Sequence, residues 1–495
     1  MRYLQKYVFM SDDSDDIESW LTEPAALGGA TMAGAGLTVM TGAARIRKAQ
    51  VVNTIGKGEA ILVTMSDEER LNIIHDNPGI QFVAEGRARM AFAAIHLTPI
   101  PQPTMASAQG RKTVVVQVRD GKGKPVRGVP VALLTDLKTK PPTGAESKTD
   151  KRGSAKFPLP HGTKVARIHA MPHAGFWWAT HVPAKQQGTY TIECVRLDPE
   201  VPDGLRAFYP PGAATAGQGV TVAVIDGGVG PHPSLKLAGG ANLVDDEPDA
   251  AFFDNGIGHG THVAGIIGAT ADPRTPGGLA PAAKLLSYRV YAKGSISAGS
   301  FAVAAAIRQA VDDGADLINL SLVLEDDQPE VNREIQRALA RGVVCIAAAG
   351  NNGGPVGAPA RTSIVLAVSA VAVRASWPKG ALDTDVLSTP KAKKNKKLGF
   401  ARFSNFGSQI DCAAPGVGIV STLPRGRSGA IGVMGGTSMA APAVTALLAR
   451  ALAQDAALLN AARNKARAEQ ILTLARSLAT KAGFGANYEG FGLLR

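Results

Sequence analysis

Residues 316–350 read DLINLSLVLEDDQPEVNREIQRALARGVVCIAAAG. The runs 317–322 and 343–349 are uncharged and mostly apolar, so each reads as a strand buried on both faces. Between them Pro329 stands where a helix starts, and the stretch to Ala340 is helical. The same alternation continues upstream: strand 220–225, helix 261–269, strand 285–291, helix 302–312. Strands alternating with helices predict an α/β fold, a parallel sheet with helices on both faces, over residues 199–495.

The chain has 495 residues, enough for roughly three domains. Apolar residues make up 45% and charged residues 19%, which excludes global disorder. No apolar run reaches the ~18 residues of a membrane helix, so no membrane partner is expected. Cys194, Cys345 and Cys412 are too few and too odd in number for a disulfide framework, and a reducing compartment fits. MRYLQKYVFM at the start has too short an apolar run for a signal peptide, so a cytoplasmic location is favoured. The net charge of +12 owes five lysines to KAKKNKK at 391–397. No aromatic residue is interleaved there, so the stretch reads as a solvated loop and no nucleic-acid partner is expected.

Ahead of the α/β region the sequence divides into four parts. Residues 1–35, with an acidic run at 11–16, read as a flexible tail. Residues 36–97 read as a small α+β domain. It has a strand at 60–64, a helix opened by the capping box Ser66/Glu69 with Leu71 and Ile74 on one face, a stop at 77–79 and a strand at 80–84. Residues 98–110 are a Pro-rich linker containing PIPQP. Residues 111–198 show short strands, including one at 175–178, punctuated by turns at Asp120-Gly121, Gly128 and 149–153, which predicts a β-sandwich.

Four segments of the last region carry chemistry-bearing residues. Asp226 ends the strand in VIDGGV; in an open parallel sheet, sites form beyond such strand ends. His259 lies in GHGTHVAG between two glycines that permit close approach. Ser438 opens a helix in GGTSMAAP, and Asn351 follows the apolar strand in AAAGN. Taken singly, these are a turn Asp, a structural His, a helix cap and a turn Asn. Taken together they offer a nucleophile, a base, a carboxylate to orient the base, and an amide to meet an oxyanion. His259 and His262 are three residues apart and no Glu follows His259, so they do not form the helical zinc motif; His262 reads as structural.

These segments, in the chain order Asp, His, Ser, resemble the subtilase family of serine endopeptidases over about residues 205–495. The resemblance implies Ser438 as nucleophile, His259 as general base and acid, Asp226 as its orienting carboxylate, and Asn351 with the Ser438 N–H as oxyanion hole. It implies peptide substrates pairing as a strand with Ser321, Leu322 and Val323, beside the wall that includes Ala348 and Gly350. Residues 36–97 resemble the family's inhibitory propeptide, which makes the chain's own N-terminal region an expected inhibitor, self-cleaved within about 85–110. Residues 111–198 loosely resemble Ig-like or carboxypeptidase-regulatory-like modules. The rival reading is a pseudoprotease, or a scaffold whose sandwich binds a partner.

The sequence departs from the family in several places. Val323 stands where a glycine is usual, which narrows the entrance for the side chain before the scissile bond and favours medium or small apolar residues there. Ser234 replaces an acidic residue, leaving Asp272 as a lone carboxylate, so calcium is not supported and no cofactor is expected. Residues 376–400 read as an insertion.

Overall fold

The computed structural model describes residues 4–10, 21–22, 46–47, 51–55, 59–76, 81–91, 98–99, 111–139, 142–245, 247, 252–381, 387–424 and 430–495. The acidic run 11–16, the helix stop at 77–79 and residues 100–110 of the expected linker lie outside them.

The main sheet runs Leu237–Asn242, Lys284–Arg289, Thr221–Asp226, Leu317–Leu320, Val344–Ala348, Leu366–Val373, Cys412–Pro415, Gly492–Leu494, and all seven of these pairings are parallel. Ala479–Thr480 closes the edge antiparallel. Alternation along the strands sorts side chains to two cores. Val222 and Val224 pack under helices His259–Gly268, Thr437–Gln454 and Lys465–Ser477. Ala223 and Ile225 pack under helices Ser300–Asp312 and Pro329–Ala340. Both faces are therefore covered, which is why the strands lack polar alternation. The 376–400 stretch contributes the antiparallel strands Leu387–Lys391 and Leu398–Ala401 to this sheet.

The expected strand 317–322 is in fact broken. It ends at Leu320, and Leu322–Leu324 leaves the main sheet to pair elsewhere. His259 is the first residue of its helix rather than a residue before it.

The expected tail is corrected at Gln5–Met10, a strand inside a four-stranded antiparallel sheet ordered Val51–Ile55, Ala60–Met65, Gln5–Met10, Gln81–Ala84. Tyr7 and Phe9 face one core with Ile61, Val63 and Ile73, against helix Asp67–Asp76. Val8 and Met10 face the other way, onto Phe301 and Ala304 of the α/β region. The capping box is present: Ser66 N–H donates to Glu69 (2.8 Å) and Glu69 N–H to Ser66 (3.3 Å). The buried face of that helix is set by Ile73, whereas Leu71 is exposed.

Residues 111–198 form two sheets around one core of valines, Leu133, Phe157 and Tyr190. Thr98–Pro99, expected as linker, pairs with Thr143–Lys148 at the edge of one sheet. The strand expected at 175–178 is instead Ala179–His181; Phe176 makes only an isolated bridge to Arg196. Among the described residues, no helix is long and apolar enough to cross a membrane, and the three cysteines are free and buried.

Candidate active site

Asp226 is 1% exposed at the end of its strand. Both carboxylate oxygens lie 2.9 Å from His259 Nδ1, which donates to them, and Gly227 N–H donates to Oδ1 at 2.6 Å. This contact requires the residue after His259 to be glycine. A Cβ at Gly260 would sit 2.4 Å from the Gly228 carbonyl oxygen and 3.1 Å from Asp226 Cβ. With Nδ1 bound to the carboxylate, the ring keeps its proton there and Nε2 is the nitrogen available for proton transfer.

His262, one turn on, is buried, and its Nε2 donates to the Ile419 carbonyl at 3.0 Å. Burial pushes its pKa down to about 3, so it stays neutral and structural.

Ser438 is the second residue of helix Thr437–Gln454. Pro442 lacks the N–H that would bond to the Ser438 carbonyl. Ser321 Oγ supplies that bond instead, at 2.9 Å. Behind it stands a buried relay in which Asn319 Nδ2 donates to Ser321 Oγ (2.9 Å) and Thr445 Oγ1 donates to Asn319 Oδ1 (3.0 Å). Asn319 and Thr445 carried no signal in the sequence, since a lone polar residue in an apolar strand or helix does not reveal its partner. The Ser438 hydroxyl donates to the Ser321 carbonyl at 2.9 Å.

Asn351 is held through its carbonyl oxygen, which accepts from Thr437 N–H (2.8 Å) and Oγ1 (3.0 Å). Its Nδ2 is buried without a hydrogen-bond partner among the described residues. A buried orphan donor is costly, and its position fits an amide kept for an incoming oxygen.

The chain's own residues 87–91 occupy the groove beside these groups. Arg87–Met90 lies between Ser297–Gly299 and Leu322–Leu324, antiparallel to both. Ala91 N–H donates to the Ser321 carbonyl and Ser438 N–H donates to the Ala91 carbonyl, each at 3.1 Å. The break in the strand at Ser321 has this use: its main chain serves the peptide and its side chain serves the nucleophile helix. Val323 lies opposite Arg89, on the face shared with Ala91. A Cβ on Gly357 would lie 2.6 Å from one Val323 methyl, so Val323 fills the space that this glycine leaves. Gly350, at φ 110°, is packed on Asn405, whose Nδ2 lies 2.4 Å from where a Cβ would be, and the other Val323 methyl lies 3.6 Å from the same point. Ala348 does not border the groove: it is sealed in the core beneath helix Thr437–Gln454.

Asp272 accepts from Ser234 Oγ (2.9 Å) and from Arg274 N–H (2.7 Å). Among the described residues, no group of three or more His, Cys, Asp or Glu side chains is placed to hold a metal ion.

The subtilase family model, Peptidase S8, matches residues 217–492, more than half of the chain. M-protease of Shouchella clausii (strain KSM-K16) is 35% identical over 262 residues, covering 52% of this chain and 61% of that protein. Subtilisin Savinase of Lederbergia lenta is 36% identical over 249 residues, covering 49% and 81% respectively. An intracellular serine protease of Paenibacillus polymyxa is 33% identical over 262 residues, covering 50% and 72%. The chain belongs to the subtilase family.

Proposed function

We propose that this chain is a serine endopeptidase that is held inactive by its own N-terminal domain and cuts itself between Ala91 and Phe92. The reading rests on one observation above all. The Ala91 carbonyl accepts from the Ser438 N–H while residues 87–90 pair as a strand along the groove. This is the placement required of the residue before a scissile bond.

In the proposed reaction Ser438 Oγ attacks the peptide carbonyl carbon as His259 Nε2 takes its proton. The oxyanion is held by the Ser438 N–H and Asn351 Nδ2. His259, stabilised as imidazolium by Asp226, then protonates the leaving nitrogen and the C–N bond breaks. Water, deprotonated by His259, releases the acyl group. Protein and peptide chains are the substrates, and small apolar residues are preferred before the scissile bond.

The N-terminal sheet acts as inhibitor because it buries Val8, Met10, Ile55 and Leu62 on the α/β domain and delivers residues 87–91 to the groove. Ser300 fixes the delivery: its N–H donates to the Gly86 carbonyl and its Oγ accepts from Gly86 N–H, both at 3.0 Å.

Intact mass and N-terminal sequencing test this reading. Wild type is expected to yield a chain beginning at Phe92, and Ser438→Ala to stay whole. An active wild type retaining residues 1–91 in one chain refutes self-cleavage. The same cut in Ser438→Ala assigns it to another protease.

A further inference from the structure

Beside His259 lies a cleft of about 810 Å³ built by two domains. The catalytic domain supplies His259, with Leu423, Val433 and Met434 from the hairpin that leads into Ser438. The facing wall comes from the β-rich domain at 111–198 and includes Met171, Phe176 and Trp178. That wall lies outside the family match at 217–492.

Three observations say what passes through this cleft. First, the groove that holds residues 87–90 is made by Ser297–Gly299 and Leu322–Leu324, and none of these residues lines the cleft. A substrate whose scissile carbonyl meets the Ser438 N–H, as the Ala91 carbonyl does, must present its leaving nitrogen to His259, and His259 lines the cleft. Second, Thr98 is paired to the β-rich domain only seven residues beyond Ala91. Seven residues span at most ~25 Å, so that edge of the β-rich domain lies within this distance of the Ala91 carbonyl. Third, the wall is fixed. Gly175 N–H donates to the Ile431 carbonyl at 2.8 Å, and Trp177 packs on Val420, Ile431 and Val433.

We propose that this cleft is the leaving-group subsite, which takes bulky apolar side chains C-terminal to the scissile bond, and that Met171 and Trp178 of the β-rich domain set that preference. The proposal rests on the peptidase reading above. Aromatic and thioether side chains offer large, adaptable contact area to apolar residues and little to glycine or aspartate.

The test uses the mature protein and quenched peptides identical up to an alanine before the scissile bond, followed by Leu-Phe or Gly-Gly. A peptidyl-alanine anilide with the same leading residues provides a substrate with nothing beyond the bond. In wild type, kcat/KM for the Leu-Phe peptide is expected to exceed that for Gly-Gly by about tenfold. That ratio is expected to fall below about threefold in Trp178→Ala and in Met171→Ala, and to hold in Trp178→Phe. Two truncations at separate points guard against one failing to fold. A wild type with no preference, or a preference unchanged in both alanine variants, overturns the subsite. Anilide turnover reports separately on the chemistry: if wild type, like Ser438→Ala, cleaves neither anilide nor peptide, the peptidase reading itself fails and this inference falls with it.

Discussion

Asn351 enters the site as a half-used amide, its oxygen anchored on Thr437 and its nitrogen buried without a partner among the described residues. Leucine keeps the volume and removes the donor. Asn351→Leu is therefore expected to lower kcat by about 10²–10³ with KM little changed, the magnitude known for loss of an oxyanion-hole amide in a subtilisin. Steady-state kinetics on the anilide check it. His262 makes a prediction about acid. Unfolded, it binds a proton near its ordinary pKa of about 6.5; folded, it resists until about 3. Between these values the unfolded state holds more protons, so its contribution is complete above about 6.5 and declines as pH falls, by up to about 1.4 kcal/mol per pH unit. His262→Gln is expected to be less stable at pH 7 but to show a flatter acid limb in urea midpoints measured from pH 4 to 7. A parallel slope would assign the acid sensitivity elsewhere. At this scale the sequence was legible where a residue sits in a motif, as Asp226, His259, Asn351 and Ser438 do. It was silent on Asn319 and Thr445, whose partners lie on other elements.

The elements tell why Ala91 suits the groove. Val323 fills the space left by Gly357, and Ala91, 4% exposed, sits on the same face of the paired strands. Ala91→Leu must force its extra carbons against Val323, and overpacking of this kind costs about 1–3 kcal/mol. Self-cleavage of Ala91→Leu is expected to slow at least about fivefold, and the double variant Ala91→Leu/Val323→Gly to recover most of the rate. Time courses of the new N-terminus decide it; equal rates for Ala91→Leu with and without Val323→Gly would remove Val323 from the pocket. The alternation of strand and helix was readable because each element's period is local. The strand Gln5–Met10 was not, because its partners Ala60–Met65 and Gln81–Ala84 lie far along the chain and six residues alone carry too little pattern. The break at Ser321 was hidden for the same reason: its cause, residues 87–91, is more than two hundred positions away.

Across the whole molecule, the proposed cleavage after Ala91 would remove a covalent tether but not the interface that the tether serves. That interface is made by Val8, Met10 and Leu62, and by Glu59, which accepts from Arg308 beside it. Arg308 is also bonded to the buried Glu334 at 3.1 Å, so removing the arginine would strand a carboxylate inside the catalytic domain. Removing Glu59 avoids that, because Arg308 keeps its second partner. The hydrogen bond from Arg308 holds the Glu59 carboxyl below its ordinary range, which ties its contribution to the ionised form. That contribution is complete above the usual carboxylate pKa of about 4.3 and disappears as pH falls through the lowered value. Glu59 is partly exposed, so water screens the pair and the expected effect is modest. At neutral pH, Glu59→Gln is expected to shorten the lag between self-cleavage and full activity by about two- to fivefold. As the pH is lowered below about 4.3, the lags of Glu59→Gln and wild type are expected to begin to converge. Progress curves started from freshly cleaved protein measure both. A difference that persists unchanged into acid would place the effect on packing around residue 59 instead of on its charge.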